Sequence, residues 1–241
     1  MSYRHNSSID ISVIIPCYNE EGNVTPLKDE FLEVLEPLGR SFEIIFVDDC
    51  SEDDTVAKVR EIAGSDTRIR LVRHRENFGQ SAAFLTGFEH ARGLVFITMD
   101  GDMQNDPHDI PRMLESLYSC DMVCGIRTKR RDTIVKKISS KIANRFRDYF
   151  LKDGIRDAGC SFRVFRRSVV TQLVAFKGFH RFFPTICVIH GFRVEQVPVN
   201  HRPRHEGKSK YGIGNRLFVG IHDMIGIAWY RRRHIPPMRK K

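Results

Sequence analysis

Apolar positions follow two rhythms along the first half of the chain. Residues 11–15, 42–47, 69–72 and 94–99 form short apolar runs rich in β-branched and aromatic side chains, the pattern of buried strands. Between them, residues 23–35, 55–63 and 81–91 repeat apolar residues at helical spacing, as in Val24, Leu27, Phe31 and Leu35. Pro26 falls in a first turn, where its missing N–H is tolerated. Strands alternating with helices predict an α/β fold with a parallel sheet and right-handed crossovers. The second half is less regular. It predicts a helix at 111–118, strands at 122–124, 161–165 and 193–199, a polar loop at 201–214 and an apolar helix at 217–230. Residues 133–151 set Ile134, Ile138, Ile142 and Phe146 against Lys136, Lys137, Lys141, Arg145 and Arg147, which predicts a basic amphipathic helix.

In a parallel sheet, ligands bind beyond the carboxyl ends of the strands. The polar clusters at 17–21, 48–53 and 100–104 each follow a predicted strand, so they converge on one edge. In Asp100-Gly101-Asp102-Met103-Gln104 two carboxylates stand two residues apart. Such a pair can share a hard divalent cation, with Gln104 adding a neutral oxygen and phosphate oxygens or water filling the other positions. The competing reading is a solvated acidic turn. At 47–55, Asp49 suits a nucleobase N–H or a ribose hydroxyl, whereas Ser51 or Asp53 suits the cap of the next helix. At 77–83, small residues open a helix and permit close approach of a ligand, or simply form a tight turn with a cap.

Composition narrows the field. Of 241 residues, 41% are hydrophobic and 29% charged, which excludes a mainly disordered chain. Lys and Arg number 39 against 30 Asp and Glu, a formal charge of +9 that favours an anionic partner. Nucleic acid is disfavoured, because the aromatics of 133–151 sit on its apolar stripe rather than among its basic residues. The six cysteines lack zinc spacing and predict buried thiols in a reducing compartment. Residues 1–10 lack the apolar stretch of a signal peptide, and no run reaches the ~20 apolar residues that span a bilayer. Leu217, Ile221, Met224, Ile225, Ala228 and Trp229 form an apolar stripe that runs into basic residues at 231–233 and 239–241. That combination predicts a cytoplasmic chain held peripherally on an anionic membrane, with a membrane-protein partner as a further means of attachment.

In order, these segments resemble the family 2 glycosyltransferases. Pro16-Cys-Tyr-Asn-Glu-Glu21 matches the opening strand-and-loop motif. Residues 48–55 match Asp-Asp-Gly-Ser-x-Asp-x-Thr, with Cys50 in place of the glycine; residues 77–87 match the Asn-x-Gly segment, 100–107 match Asp-x-Asp-x-Gln-x-x-Pro and 125–127 match Gly-x-Arg. Met103-Gln104 after the Asp pair, residues 157–163 and residues 202–211 are most similar to the polyprenyl-phosphate glycosyltransferases, the group that contains the dolichol-phosphate mannose synthases. The resemblance implies a GT-A, Rossmann-like, mostly parallel sheet flanked by helices over 1–215, followed by a C-terminal amphipathic, membrane-associating segment at 216–241. It implies Mg²⁺ or Mn²⁺ on Asp100, Asp102 and Gln104. It implies a GDP- or UDP-sugar against Pro16, Tyr18, Asn19, Glu20, Asp49, Gln80 and Asp100. Arg127, Arg202, Lys208 and Ser209 fall near phosphates, and Asp157, Arg127 and Asp102 form the catalytic set. The implied reaction is metal-dependent, inverting hexosyl transfer to a polyprenyl phosphate. A saccharide acceptor and a nucleotidyltransferase are the alternatives. A phosphate monoester is largely dianionic near neutrality, its second pKa being ~6, so it needs positioning more than a base. Asp157 stays open between base and orienting residue.

Overall fold

The computed structural model describes residues 9–128, 147, 150–203 and 213–235, with side chains in the last helix from residue 220 onward. The strands are β1 (Ile11–Cys17), β2 (Phe42–Asp48), β3 (Ile69–Arg73), β4 (Val95–Thr98), β5 (Met122–Arg127), β6 (Arg163–Arg166) and β7 (Val194–Val199). The helices are α1 (Val24–Leu35), α2 (Thr55–Ser65), α3 (Gln80–His90), α4 (Ile110–Ser116), α5 (Arg167–Val170), α6 (Phe183–Ile189) and α7 (Ile213–Arg233). Most of 133–151 and the 204–212 part of the polar loop, including Lys208 and Ser209, lie outside the described residues.

Among the described residues, seven strands form one sheet in the order β3-β2-β1-β4-β6-β5-β7. β1 runs parallel to β2 and β4, β2 to β3, and β5 to β7. The exception is β6, antiparallel to both β4 and β5. An apolar run does not reveal strand direction, so the sequence pattern could not separate β6 from its neighbours. β1 continues past Ile15 through Pro16 to Cys17. Proline is tolerated there because the β4 ladder has already ended at Ile14 opposite Thr98, so no partner needs the missing N–H.

The central strands β1 and β2 are buried on both faces, and alternate residues of β1 serve alternate cores. Ile11, Val13 and Ile15 pack with Leu27 and Phe31 of α1 and Ile62 of α2, whereas Ile14 packs with Ala83, Phe84 and Phe88 of α3. α3 lies so close to the sheet that a β-carbon on Gly87 would collide with the fully buried Ile14 side chain. Phenylalanines join the two halves: Phe88 meets Phe165 edge-on at 5.7 Å, and Phe165 meets Phe183 at 5.1 Å. Arg147 donates to the Ile155 carbonyl and to Thr185 Oγ1, both at 2.7 Å, and pairs with Asp153. Those bonds, with Thr185 also donating to Asp153, tie Arg147 and Asp153 to α6. Met224 and Ile227 of α7 are buried in the same core, leaving Ile225 and Trp229 exposed. No helix among the described residues is long and apolar enough to cross a membrane. Five of the six cysteines are buried, Cys50 is half-buried, and none is in a disulfide.

Gly87→Ala forces a methyl into the rigid α3–β1 contact and should destabilise the protein by about 1–3 kcal/mol, read as a lower urea midpoint at unchanged m-value.

Candidate active site

The carboxyl ends of β1, β2, β4, β5 and β7 all open on one edge of the sheet, and β6 begins there. The loops after β1 and β2 are laced together. Backbone N–H groups of Asn19 and Glu20 donate to Ser51 Oγ and Thr55 Oγ1, at 2.9 and 2.8 Å. In return Asn19 Oδ1 accepts from Glu52 N–H at 2.8 Å, and Glu21 accepts from Asp54 N–H at 2.9 Å. Asp53 accepts from both the N–H and the hydroxyl of Thr55, the first residue of α2, from the position before the N-cap Asp54, whose side chain makes no cap bond. Cys50 has φ of 65°, the left-handed conformation that favours the glycine it replaces. Pro16 and Tyr18 stand half-buried beside this lacing, and the 100–104 loop passes close to Pro16, where a β-carbon on Gly101 would sit 3.2 Å from the Pro16 carbonyl and from Cys17 Sγ.

The adjacent aspartates at the end of β2 do different things. Asp48 is fully buried and accepts from Ser51 N–H, closing its own turn. Asp49 reaches across to the segment between β3 and α3. Its Oδ1 accepts from Phe78 N–H at 2.9 Å and bonds His74 Nδ1 at 2.8 Å, and its Oδ2 accepts from Gly79 N–H at 2.7 Å. Sequence reasoning did not include His74. Its place just past the end of β3 was the available signal.

Asp100 and Asp102 follow β4. Asp102 is buried; Asp100 is half-buried, with its carboxyl below the surface. Burial, and then the neighbouring Asp102 charge, push the Asp100 carboxyl up to about 6. Gln80, at the start of α3, donates to Asp100 at 2.6 Å. Gln104 N–H donates to Asp102 at 3.2 Å, and the Gln104 carbonyl accepts from Arg202 N–H at 2.8 Å. The Thr98 hydroxyl donates to the Ser161 carbonyl at 2.7 Å, holding the start of β6 against the end of β4.

Arg127 and Asp157 form a two-pronged pair: Nε donates to Oδ2 at 2.8 Å and Nη2 to Oδ1 at 2.7 Å. Both side chains are largely buried. Burial works against the Arg127 charge, but the Asp157 bonds outweigh it and hold its pKa above the ordinary value. Both Asp157 oxygens therefore serve the guanidinium. Arg202 is similarly engaged, with Glu30 of α1 at 2.6 Å and Asp106 at 2.5 Å. Burial opposes the Asp106 charge, while bonds from His108 and Arg202 more than compensate and keep its carboxyl below the usual range. Glu30 lies on an amphipathic helix, and nothing in the sequence links it to Arg202. The edge thus collects Pro16, Tyr18, Asn19, Glu20, Asp49, Gln80, Asp100, Asp102, Gln104, Arg127, Asp157 and Arg202; Lys208 and Ser209 are outside the described residues.

Residues 12–174 match the family described as Glycosyl transferase family 2. Over 236 residues the chain is 35% identical to a dodecaprenyl-phosphate galacturonate synthase of Rhizobium johnstonii, covering 95% of this chain and 70% of that one. Over 217 residues it is 33% identical to an undecaprenyl-phosphate 4-deoxy-4-formamido-L-arabinose transferase of Klebsiella pneumoniae, covering 89% of this chain and 66% of that one. The chain therefore spans about two thirds of the length of these relatives. In fold it is similar to glucosyl-3-phosphoglycerate synthase of Mycobacterium tuberculosis, crystallised with Mn²⁺, uridine diphosphate and glucosyl-3-phosphoglycerate. The TM-score is 0.67 at 17% identity, over 95% of this chain and 82% of that one. With its mostly parallel sheet, its acidic edge and this family match over more than half its length, the chain belongs to the family 2 glycosyltransferases and is a glycosyltransferase of GT-A fold.

Proposed function

We infer that the protein transfers a hexosyl group from a GDP- or UDP-sugar to a polyprenyl phosphate at the cytoplasmic face of a membrane, with Mg²⁺ or Mn²⁺ and with inversion at the sugar carbon. The observation that carries the acceptor is the likeness, at 35% and 33% identity, to two proteins each named for a polyprenyl phosphate. The residues after β4 fit a hard divalent cation: one of two neighbouring carboxylates is pushed up to about 6 by burial and mutual repulsion, a cost that a cation relieves. Held by Asp100, Asp102 and Gln104, the cation would neutralise charge on the departing nucleoside diphosphate.

The chain's own residues do the rest. Arg127, fixed by Asp157, presents a rigid guanidinium to phosphate oxygens. Asp157 acts here as the orienting residue rather than as a base, since both its oxygens are engaged and a dianionic phosphate needs no base. Arg202, Lys208 and Ser209 complete the phosphate-binding set. Asp49 and the 16–20 loop take the nucleotide. Exposed Ile225 and Trp229 on α7, followed by Arg231, Arg232 and Arg233, support contact with an anionic lipid surface.

Incubation with Mg²⁺, a short polyprenyl phosphate and labelled nucleotide-sugars should yield organic-extractable label from one donor. Asp102→Asn should abolish it. Asp157→Asn should lower kcat ~10–100-fold through misplacement of Arg127 while leaving the acid limb of the pH profile in place. Absence of lipid label from every donor, with folded protein, would redirect the assignment to a saccharide acceptor.

A native pKa of about 6 against 3.8 means that the folded, metal-free protein holds the proton more tightly than the unfolded chain. Metal-free stability should therefore fall as pH rises from about 4 to 6, and the increase in Tm on adding Mn²⁺ should be larger near pH 7.5 than near pH 5. An equal increase at both pH values would remove Asp100 from the metal site.

The protein should sediment with vesicles containing phosphatidylglycerol and less so with purely zwitterionic ones. Trp229→Ala should weaken that binding; undiminished binding would rule out α7 as the contact.

A further inference from the structure

The Asp49 carboxylate is held from three directions, and one of its partners is not a passive loop amide. The His74 side chain is 9% exposed and lies just past the end of β3, with its ring edge-on to Phe78 at 5.4 Å and 78°. An ionised carboxylate only accepts, so His74 Nδ1 carries the proton shared with Asp49 Oδ1 at 2.8 Å. In the neutral ring Nε2 is then the acceptor, and Thr86 Oγ1 on α3, 2.9 Å away, is its donor. The ring thus bridges the turn after β2 and helix α3; Asp49 sets its Nδ1–H tautomer, and the Thr86 hydroxyl tethers Nε2.

The backbone bonds from Phe78 and Gly79 leave the carboxylate a limited set of orientations, and His74 selects among them. An ionised carboxylate offers about four lone-pair directions. Three are occupied among the described residues, which leaves one for an incoming donor.

We propose that His74 is a positioning residue for the nucleotide: tethered by Thr86, it aims the remaining acceptor direction of Asp49 at a ring N–H of the donor's nucleobase. Uracil offers one at N3 and guanine one at N1. The inference rests on the nucleotide-sugar reading above. Without the Nδ1–H, Oδ1 has a second open direction, and the carboxylate turns toward whichever donor is nearest.

Calorimetric titration of UDP, GDP and inorganic pyrophosphate, each with Mn²⁺, tests this. The wild-type protein should bind UDP or GDP. In His74→Leu that affinity should fall about tenfold or more, the scale of a hydrogen bond to a charged group, while pyrophosphate, which has no base, binds as before. His74→Asn places an amide N–H near the Nδ1 position and should recover affinity to within about threefold of wild type. If His74→Leu does not fold, Thr86→Val carries the test, with an expected loss of about threefold or more from the untethered ring. Unchanged nucleotide affinity in the folded variant, or an equal loss for pyrophosphate, overturns the positioning role and leaves the nucleotide reading standing. A wild-type protein that binds neither UDP nor GDP overturns both.

Discussion

Carboxylates gathered at one edge of a sheet repel one another, and the way each is neutralised organises this protein's edge. Asp48 closes its own turn, Asp49 is bound by the segment after β3, Asp53 accepts from Thr55 at the start of α2, Asp106 pairs with Arg202 and Asp157 with Arg127. Each of these is matched to donors from the chain. Asp100 is matched less well: burial and the Asp102 charge outweigh the nearby Arg163 and Arg127 and leave its carboxyl raised. The residual imbalance sits at the end of β4, in the middle of the edge, where a cation is most useful to a phosphate-bearing substrate.

The same neutralisation couples the parts of the site. Gln104 and Asp106 stand on the loop after β4, and both contact Arg202, which follows β7 and is anchored to α1 by Glu30. Gln80 joins the start of α3 to Asp100, and Ser81 beside it bonds His180, which lies just before α6. Elements far apart in sequence therefore share the loops that carry the chemistry. The aromatic packing of Phe88, Phe165 and Phe183 joins elements of both halves of the chain in the core on one face of the sheet.

In the first half β1, β2 and β4 were each announced twice, by apolar rhythm and by the polar cluster that follows, whereas β3 and the helices were legible from apolar rhythm alone. The second half announced its strands but not their directions. β6 is antiparallel because the chain enters it at the carboxyl edge, a consequence of where Ser161 is pinned to Thr98. The short helices α5 and α6 have too few residues to show a helical period.

The sequence by itself determined the fold class, the common edge and the acidic character of the site, because periodicity and strand ends are local and survive in one dimension. The motifs placed Asp100, Asp102, Arg127 and Asp157 on that edge. Only the tertiary structure decided what each of them touches. That Asp157 holds Arg127, that Asp49 is held by His74, and that Arg202 is shared between Glu30 and Asp106 are pairings across 30, 25, 172 and 96 residues of chain. Such pairings depend on strand order and loop approach, which no local pattern encodes.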